Sequence, residues 1–581
     1  MRRVVGIWAL GLLMACASTT SESPRSETEA AAQPVEAAFA DTIYRGGPVL
    51  TVDAQGSVAE ALAVRDGRIA AVGAEADVLS LQGPETRVVE LDGRALAPGF
   101  IDAHGHISSV AMLKSAVNVA SPPVGAMTSI ADIQDKLRDH IDRNDIPVGT
   151  PILGVGYDDG LLAEGRHPDK FDLDAVSSSH PIALLHVSMH LGTANTAMLD
   201  LVGVDAETPD PPSGVFRRVE GSTEPNGVME EHAVYAAYAA FPQPTPAQAM
   251  RALVVAQDSY AREGFTTAQD GAMGFPMYQL LAGAAAQGML FIDVMGYATW
   301  TDFEKVAQVA GPIPGRYDGR FRVAGAKIVL DGSPQGKTAW LSEPYYVAPE
   351  GHPKSYLGYP AFSDADAYDF IAKMRREEVP LLAHANGDQA AEQLITIVER
   401  IETEEPELDW RPVMIHAQAL RHDQIARLPA IGMIPSFFVA HTYYWGDWHR
   451  DSVFGPERGA RISSLNTALS NGVRFTIHND SPVVPPRGPF LLWNAVNRIT
   501  RSGKTLGPEE RVTPLQALRA LTIDAAYQSF EQDTKGSLEV GKLADMTVLS
   551  ANPLEVEAIK IKDIKVLETI KEGQTIFPHQ K

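Results

Sequence analysis

The stretch Leu96-Ala-Pro-Gly-Phe-Ile-Asp-Ala-His-Gly-His-Ile107 decides how the rest of the chain is organised. Its Pro-Gly pair interrupts the backbone, and Phe100 then opens a short buried strand that we expect to end in His104 and His106. Side chains two residues apart in a strand point to the same face, so both imidazoles are directed at one place. Two neutral imidazoles form half of a site for a divalent ion such as zinc, although a single His-x-His is as easily a polar loop.

Composition limits the classes of function that need to be considered. The chain has 581 residues, of which 45% are hydrophobic and 21% are charged, as in a globular protein with a large core. Its formal net charge of -24 excludes nucleic acid and anionic lipid surfaces as expected partners, because both require a basic patch. The partner expected is a small-molecule substrate, and the sequence leaves open whether the chain forms a homodimer.

The N-terminus predicts export. A basic start and an apolar run at residues 4–14 precede Cys16, the only cysteine of the chain. The run is too short for a membrane span and resembles a lipoprotein signal peptide over residues 1–16, with Cys16 as the lipidated residue. An ordinary signal peptide with an incidental cysteine is the alternative. Residues 17–40, rich in Ser, Glu, Ala and Pro, are predicted to form a disordered tether. We therefore expect an outer-membrane or periplasmic lipoprotein that meets the membrane only through its lipid anchor.

Both ends of the remaining chain are predicted to be β structure. Residues 41–96 contain short alternating runs, including a hairpin with Asp66-Gly67 at its turn. Residues 531–581 contain further short strands around glycine turns. Neither end has enough strands for a stable sheet of its own, so we expect the two ends to form one β-sandwich together.

The middle of the chain, residues 97–530, alternates apolar strands with helical stretches and predicts a parallel α/β architecture. Eight strands are the number that a (β/α)8 TIM-type barrel needs. The candidates are Ala97–His104, Thr266–Asp270, Phe291–Tyr297, Val323–Asp331, Pro380–His384, Val413–His416, Gly432–Pro435 and Val473–Asp480. An insertion at about residues 108–250, after the first strand, is too long for a connecting loop and is predicted to be a subdomain over the barrel mouth.

Side chains that can bind a metal ion occur at the ends of five of these strands. Barrel active sites are built at the C-terminal ends of strands. The residues are His104 and His106 on the first strand, Lys327 on the fourth, His384 on the fifth, His416 on the sixth and Asp480 on the eighth. Each alone is as easily a core histidine or a capping aspartate, but together they predict one active site.

Several segments are similar to those of a known family. Pro98–His106, the Gly-Lys-Leu-Ala-Asp run at 541–545 and the Thr-Ile-Lys-Glu-Gly run at 569–573 resemble the amidohydrolase superfamily. Lys327–Ser333 and Asn479–Val483 resemble amidohydrolase family 3, which includes enzymes like N-substituted formamide deformylase. The resemblance covers nearly all of the chain from residue 41 onward, including the insertion.

The resemblance implies a role for each strand-end residue. His104 and His106 would bind the more buried metal ion, and His384 and His416 would hold a second ion. A carbamylated Lys327 would bridge the two ions. Asp480 would bind the first ion and move the proton. The implied cofactor is one or two divalent ions, with zinc expected. If Lys327 is not carbamylated, the site would hold a single ion, because an ammonium group cannot bind a metal.

Other residues are expected around this centre. The candidates for contacts with substrate or for support are His441, Tyr443, Arg458, His190 and Tyr157. His478 lies where many relatives have a small residue, and by strand parity it faces the same way as Asp480. It could therefore crowd the site, bind a metal or form a hydrogen bond there.

The expected activity is hydrolysis of a C–N bond in an amide, N-formyl or N-acyl amine. A metal-activated water would attack the carbonyl, Asp480 would act as proton shuttle, and His441 or His190 would stabilise the oxyanion. Two alternatives stay open. The same site could cleave esters, carbamates or lactones, or the chain could be an inactive lipid-anchored binding scaffold.

Overall fold

A computed structural model of the protein describes residues 39–113, 116–212, 214–241, 244–349, 351–404 and 408–579. The predicted signal peptide, Cys16 and the predicted tether up to residue 38 lie outside the described residues. The strands are β1 Thr42–Leu50, β2 Val58–Arg65, β3 Arg68–Gly73, β4 Arg87–Glu90, β5 Ala95–Pro98, β6 Phe100–Ile101, β7 Val117–Asn118, β8 Ile152–Tyr157, β9 Ile182–His186, β10 Leu191–Ala194, β11 Gly214–Arg218, β12 Pro225–Glu231, β13 Phe265–Met273, β14 Asp293–Thr299, β15 Phe321–Val329, β16 Leu381–Ala385, β17 Val413–His416, β18 Ile434–Phe437, β19 Thr476–Ile477, β20 Met546–Leu549, β21 Val566–Lys571 and β22 Gln574–Phe577.

The α-helices lie between and after these strands. They are α1 Glu75–Leu79, α2 Ile107–Met112, α3 Ile130–Arg143, α4 Lys170–Asp174, α5 Thr196–Val202, α6 Val234–Tyr238, α7 Pro246–Ala261, α8 Phe275–Ala286, α9 Phe303–Ala310, α10 Asp364–Arg376, α11 Asp388–Glu404, α12 His422–Ile425, α13 His441–Tyr444, α14 Gly446–Trp448, α15 Gly455–Ala460, α16 Leu465–Ser470, α17 Gly488–Asn497, α18 Pro514–Leu521 and α19 Ile523–Gln528. At the start of α18, Thr513 and Gln516 form a capping box.

The sheet that carries the candidate site has eight strands in the order β6-β13-β14-β15-β16-β17-β18-β19. Every neighbouring pair is parallel, and all eight predicted positions contribute a strand. The predicted bounds were wrong at both edge strands: only Thr476–Ile477 of Val473–Asp480 forms a strand, and the expected strand Ala97–His104 is divided. Its first part belongs to β5 in another sheet and only Phe100–Ile101 forms β6, since the Pro-Gly pair at 98–99 ends the first pairing.

This parallel sheet is curled. Side chains from six of its strands meet in one buried cluster that includes Ile101, Tyr297, Leu382 and Ile434, which a flat sheet would hold far apart. The chain segments after the two edge strands also meet. The amide of Asp480 donates to the carbonyl oxygen of His104 at 3.0 Å, and the amide of His106 donates to that of Ser481 at 2.7 Å. The first and last strands of the sheet therefore end at the same place.

Strands from both chain ends join in a second sheet of eight strands. Its order is β22-β21-β20-β5-β1-β2-β3, with β4 paired to β1. The predicted hairpin is present as β2 and β3, and its turn residues Asp66 and Gly67 have φ of 51° and 72°, which suits a type I′ turn. β5 lies in this sheet and β6 in the parallel one, so the residues next to the His-x-His motif belong to both.

The predicted insertion contains a sheet of its own. Its six strands lie in the order β11-β12-β10-β9-β8-β7, all between β6 and β13 in the chain. A buried apolar cluster around Leu185, Met198 and Met229 packs α5 and α6 against it. In the part of the chain that the structure describes, no helix has the length and apolarity needed to cross a membrane.

Candidate active site

Three predicted ligands converge where the first and last strands of the parallel sheet meet. His106 Nε2 lies 3.1 Å from Asp480 Oδ1, and His104 Nε2 lies 3.6 Å from the same oxygen. Neighbouring ligands around a tetrahedral zinc with bonds of about 2.0–2.1 Å are separated by about 3.4 Å. Both imidazole–carboxylate distances are close to this value. His104, His416 and Asp480 also offer donor atoms that all lie within 4.8 Å of one another, a group that could hold a metal ion.

The orientation of His104 is set by residues that the sequence did not single out. Gln269 Oε1 lies 2.8 Å from His104 Nδ1, and Gln269 Nε2 donates to the carbonyl oxygen of Ala103 at 2.9 Å. Because the Gln269 amide nitrogen donates to that carbonyl, its oxygen accepts a hydrogen bond from His104 Nδ1–H, which leaves Nε2 free to bind a metal. β13 also contains Thr266, Thr267 and Asp270, so no signal in the sequence set Gln269 apart. A Cβ on Gly271 would lie 2.3 Å from His104 Cε1, so this position requires glycine.

Lys327 lies beside the same imidazole. Its Nζ is 3.1 Å from His104 Nε2, and the side chain is fully buried at the end of β15. Burial lowers the pKa of Lys327 to about 7, against a smaller opposite effect of Asp480. The structure thus brings this predicted bridging residue to the candidate metal ligands.

The remaining two predicted ligands form a second pair. His416 Nε2 lies 3.1 Å from His384 Nδ1, and His416 Nδ1 lies 3.9 Å from Asp480 Oδ2. His384 Nε2 faces the carbonyl oxygen of Gly332 at 3.1 Å, which leaves Nδ1 directed at His416. The pair lies next to the first set, since Asp480 faces both.

His478 contacts this pair from the side. Its Nε2 lies 3.2 Å from His416 Nδ1, and its Nδ1 lies 2.9 Å from Ser436 Oγ. Of the three expectations for His478, the structure shows a hydrogen-bonding contact. Burial lowers the pKa of His478 to about 3, so its ring is neutral.

The backbone at two of these residues is strained. His416 and Asp480 have φ of 73° and 55°, in the left-handed region that residues other than glycine rarely adopt. Such a conformation costs on the order of 1–3 kcal/mol and persists only where the surroundings enforce it, most often at functional sites. At Asp480 the hydrogen bond from its amide to His104 ties the strained residue to the His-x-His segment.

His190 reaches the site from the insertion. Its Nδ1 lies 2.7 Å from Glu231 Oε2, and its ring centroid lies 5.3 Å from that of His384. Burial alone would lower the pKa of His190, but the Glu231 carboxylate outweighs this effect and raises it. His190 is thus a candidate proton donor directed at the metal ligands, and Glu231 is a supporting residue that the sequence analysis missed.

Four other predicted residues do not reach the site. The ring of Tyr443 packs edge to face against Phe490 and Trp493. His441 stacks on His449 with Nδ1 2.8 Å from His449 Nε2, and Phe438 lies between it and His416. Arg458 donates to the carbonyl oxygens of Phe454, Glu343 and Pro344. Tyr157 is buried, with its hydroxyl 3.1 Å from His167 Nδ1. These side chains are engaged in packing and hydrogen bonds within the fold.

Comparison with known proteins identifies the family. The sequence model of the amidohydrolase family matches residues 87–577. The chain belongs to the amidohydrolase family. It is 27% identical over 545 residues to N-substituted formamide deformylase of Arthrobacter pascens, covering 92% of this chain and 97% of that protein. It is 26% identical over 558 residues to Protein LONG AFTER FAR-RED 3 of Arabidopsis thaliana, covering 93% and 92%. The family expected from the sequence is confirmed, and membership supports a hydrolase.

Solved structures agree on the fold. The crystal structure of an uncharacterized metal-dependent hydrolase from Pyrococcus horikoshii OT3 matches with a TM-score of 0.69 and 22% identity, covering 89% of this chain and 99% of that chain. An adenosine deaminase from Xanthomonas campestris with bound zinc matches with a TM-score of 0.52 and 14% identity, covering 92% of each chain.

The candidate ligands of this amidohydrolase open into one cavity of about 1480 Å³. All six predicted ligands line it, together with residues of the insertion that include His190 and Glu231, while His441 is not among its lining residues. A second group of potential metal-binding residues, Asp158, Asp159 and His186, lies outside this cavity. Asp158 accepts a hydrogen bond from Trp445 Nε1 at 2.6 Å, and Asp159 Oδ1 lies 3.0 Å from His186 Nε2.

Proposed function

We propose that this amidohydrolase is a metal-dependent hydrolase that cleaves a C–N bond in a non-peptide amide, N-formyl amine or N-acyl amine. The observation that carries the proposal is the convergence of His104, His106 and Asp480 beside the pair His384 and His416 in one cavity. The similarity to N-substituted formamide deformylase of Arthrobacter pascens supports the choice of bond.

The metal proposed is zinc. His104, His106 and Asp480 would hold one ion, because Asp480 Oδ1 lies 3.6 Å and 3.1 Å from the two imidazole nitrogens, close to the spacing of neighbouring ligands of a tetrahedral ion. His416, whose donor atom lies within 4.8 Å of those of His104 and Asp480, is near the same ion. His384 and His416 would hold a second ion if Lys327 is carbamylated, because the carbamate would supply an anionic bridge next to His104. With a free Lys327 amine, the site would hold one ion. A divalent ion at this place supplies Lewis-acid chemistry, lowering the pKa of a water and polarising a carbonyl group.

The protein's own groups would handle the protons. Asp480 faces both ligand sets. Burial raises the pKa of Asp480, but the hydrogen bond and charge of His106, together with His478 and Lys327, outweigh it and lower the pKa, so the group is an ionised carboxylate that can take a proton from the attacking water. The same carboxyl group would then return this proton to the departing nitrogen. His190, held by Glu231, would donate a hydrogen bond to the carbonyl oxygen as negative charge develops there. We assign this contact to His190 because Phe438 separates His441 from His416.

The test combines metal analysis with turnover. Purified protein should contain one or two equivalents of zinc by elemental mass spectrometry, and N-formyl and N-acetyl amines should be hydrolysed. Asp480→Asn should lose nearly all turnover, while Asp135→Asn on the exposed face of α3 should keep it. A Lys327→Ala variant that falls from two ions to one would establish the bridged site. Full activity in Asp480→Asn, or a preference for esters over amides, would contradict the proposal.

The finer architecture that we propose is a closed (β/α)8 barrel at residues 97–530, a β-sandwich from residues 41–96 and 531–581, and an insertion subdomain at about 108–250. The curled parallel sheet and the two hydrogen bonds between the segments after its edge strands support the closed barrel. The sheet made by both chain ends supports the sandwich.

The location and partners that we propose follow from the N-terminal sequence. The chain would be exported as a cell-envelope lipoprotein anchored through Cys16, with a small-molecule substrate and no nucleic-acid partner. Cys16→Ser should release the protein from membranes in fractionated cells. Size-exclusion chromatography with light scattering tests whether it forms a homodimer.

A further inference from the structure

Each candidate histidine ligand has two ring nitrogens, and in a neutral imidazole one of them carries the proton. Only the other nitrogen can bind a metal ion, so the hydrogen-bond partner of the first fixes which nitrogen is free. At His104 the acceptor is Gln269 Oε1, 2.8 Å from Nδ1. At His384 it is the carbonyl oxygen of Gly332, 3.1 Å from Nε2. His416 also needs such a partner if its Nε2, which lies 3.1 Å from His384 Nδ1, is to bind an ion.

The side chain in that position is the imidazole of His478. His416 Nδ1 lies 3.2 Å from His478 Nε2, and His478 Nδ1 lies 2.9 Å from Ser436 Oγ. His416 ends β17, Ser436 lies on β18 and His478 directly follows β19, so three adjacent strands of the parallel sheet build this chain of contacts. All three residues are almost fully buried. A buried polar atom that loses its partner costs about 1–3 kcal/mol, so these groups are held to one another.

Two proton arrangements satisfy this chain of contacts. In one, His416 Nδ1–H donates to His478 Nε2 and His478 Nδ1–H donates to Ser436 Oγ, so His416 Nε2 carries no proton. In the other, the Ser436 hydroxyl donates to His478 Nδ1, His478 Nε2–H donates to His416 Nδ1, and the proton of His416 is on Nε2. A serine hydroxyl both donates and accepts, so both arrangements are possible with the same number of protons. Only the first arrangement leaves His416 Nε2 free for an ion.

We infer that His478 is a positioning residue for the metal centre, which accepts the Nδ1 proton of His416 and thereby presents His416 Nε2 to the ion. The inference rests on the proposed function, because it concerns the same centre. His478 is not itself a ligand, since its Nε2 is directed at His416 and its Nδ1 at Ser436. The contact also fixes the ring plane of His416, as Gln269 fixes that of His104. Loss of a partner of this kind typically weakens metal affinity by about 10- to 100-fold.

Zinc affinity, measured by chelator competition, tests this role without any substrate. His478→Leu fills a similar volume but offers no acceptor, so it should weaken zinc binding by about 10- to 100-fold. His478→Gln should recover most of this loss, because its amide oxygen reaches the position of Nε2, as Gln269 Oε1 serves His104. His478→Asn should not recover it, because its shorter amide ends out of reach of His416. Circular dichroism shows whether each variant is folded, and the comparison of His478→Gln with His478→Asn is sufficient if His478→Leu does not fold.

A double-mutant cycle shows whether His478 acts through His416. His416→Ala removes the ligand itself and should reduce the number of bound zinc ions or their affinity. Adding His478→Leu to His416→Ala should cause no further loss, because the ring that His478 positions is already absent. The matched control is His449→Leu, which removes a buried histidine from its contact with His441, outside the cavity lining, and should keep the zinc affinity of the native protein.

The outcomes separate this inference from the proposed function. A loss of zinc affinity in His478→Leu that is restored in His478→Gln and absent in the His416→Ala background supports the inference. Native zinc affinity in His478→Leu, or no recovery in His478→Gln, overturns it. A further loss in the double variant also overturns it, because His478 would then bind an ion directly. If zinc binding follows the expected pattern and no amide is hydrolysed, the inference stands and the proposed C–N hydrolase function fails. If the native protein binds no zinc, both fail.

Discussion

Replacing Asp293 with asparagine should destabilise the protein strongly, although Asp293 lies at the start of β14, at the opposite end of the strand from the candidate site. Its Oδ2 lies 2.5 Å from Lys535 Nζ and 2.9 Å from Lys571 Nζ, and its Oδ1 lies 3.3 Å from Arg320 Nη1. Both lysine side chains are almost fully buried. Asp293 therefore neutralises cations that the C-terminal segment contributes to the interior.

The magnitude follows from the partners that would remain. Without the carboxylate of Asp293, Lys571 keeps Asp545 at 2.8 Å, but Lys535 keeps only longer contacts, with Glu531 at 3.5 Å and the Thr267 hydroxyl at 3.4 Å. Removing one partner from a buried ion pair costs about 3–5 kcal/mol, because the other charge stays buried without compensation. This is a large fraction of the roughly 5–15 kcal/mol by which folded proteins are typically stable.

The assay is urea denaturation followed by tryptophan fluorescence and circular dichroism. Asp293→Asn should lower the urea concentration at the midpoint of unfolding. Asp135→Asn breaks the exposed ion pair with Arg138 and should lower the free energy of unfolding by only about 0–1 kcal/mol. Adding Lys535→Met to Asp293→Asn should recover part of the loss by removing the uncompensated charge. An Asp293→Asn midpoint equal to that of the surface control would refute the reasoning.

The same cluster should make the stability of the folded protein depend on pH. The cations Lys535 and Lys571 outweigh burial and lower the pKa of Asp293 below its usual range. The folded state therefore binds fewer protons than the unfolded state, so this stabilisation is complete above the unfolded pKa of about 4 and is lost as the pH falls through the lowered folded value. The midpoint of the native protein should fall more steeply below about pH 4 than that of Asp293→Asn. Parallel curves would contradict this assignment.

Three further substitutions test how the site and the fold are supported. Gly271→Ala should reduce the zinc content, because the added Cβ would lie 2.3 Å from His104 Cε1. Gly283→Ala, whose Cβ would have its nearest contact at 3.3 Å, should keep the zinc. An unchanged zinc content in Gly271→Ala would contradict the packing argument. Gln269→Leu removes the acceptor of His104 Nδ1 and should weaken zinc affinity by about 10- to 100-fold in a chelator competition; an unchanged affinity would mean that Gln269 does not orient the ring. Thr513→Ala removes the cap of α18 and should lower the unfolding free energy by about 1 kcal/mol in the urea assay, and a midpoint equal to that of the native protein would count against the cap.

The positions of the candidate ligands could be predicted because they follow from local pattern. Each lies at or just beyond the end of a short apolar run, and the ends of parallel strands meet at one edge of their sheet. His104, His106, Lys327, His384 and Asp480 were all found in this way. Strand parity also predicted that His478 faces the site, and it contacts His416.

The supporting residues could not be predicted, because their partners are distant in the chain. Gln269 is 165 residues from His104, and Glu231 is 41 residues from His190. Nothing local distinguishes a polar side chain that orients a ligand from one that faces water. His441 shows the opposite error, since it follows the end of β18 as the ligands follow theirs, but α13 begins there and turns it behind Phe438.

The sequence by itself determined the family, the eight parallel strands and the residues at their ends, because periodicity, glycine turns and motifs act over a few residues. Only the tertiary structure decided which histidines meet and which nitrogen of each ring is free. These properties depend on contacts between segments that lie tens to hundreds of residues apart, and a one-dimensional pattern does not contain the distances between them.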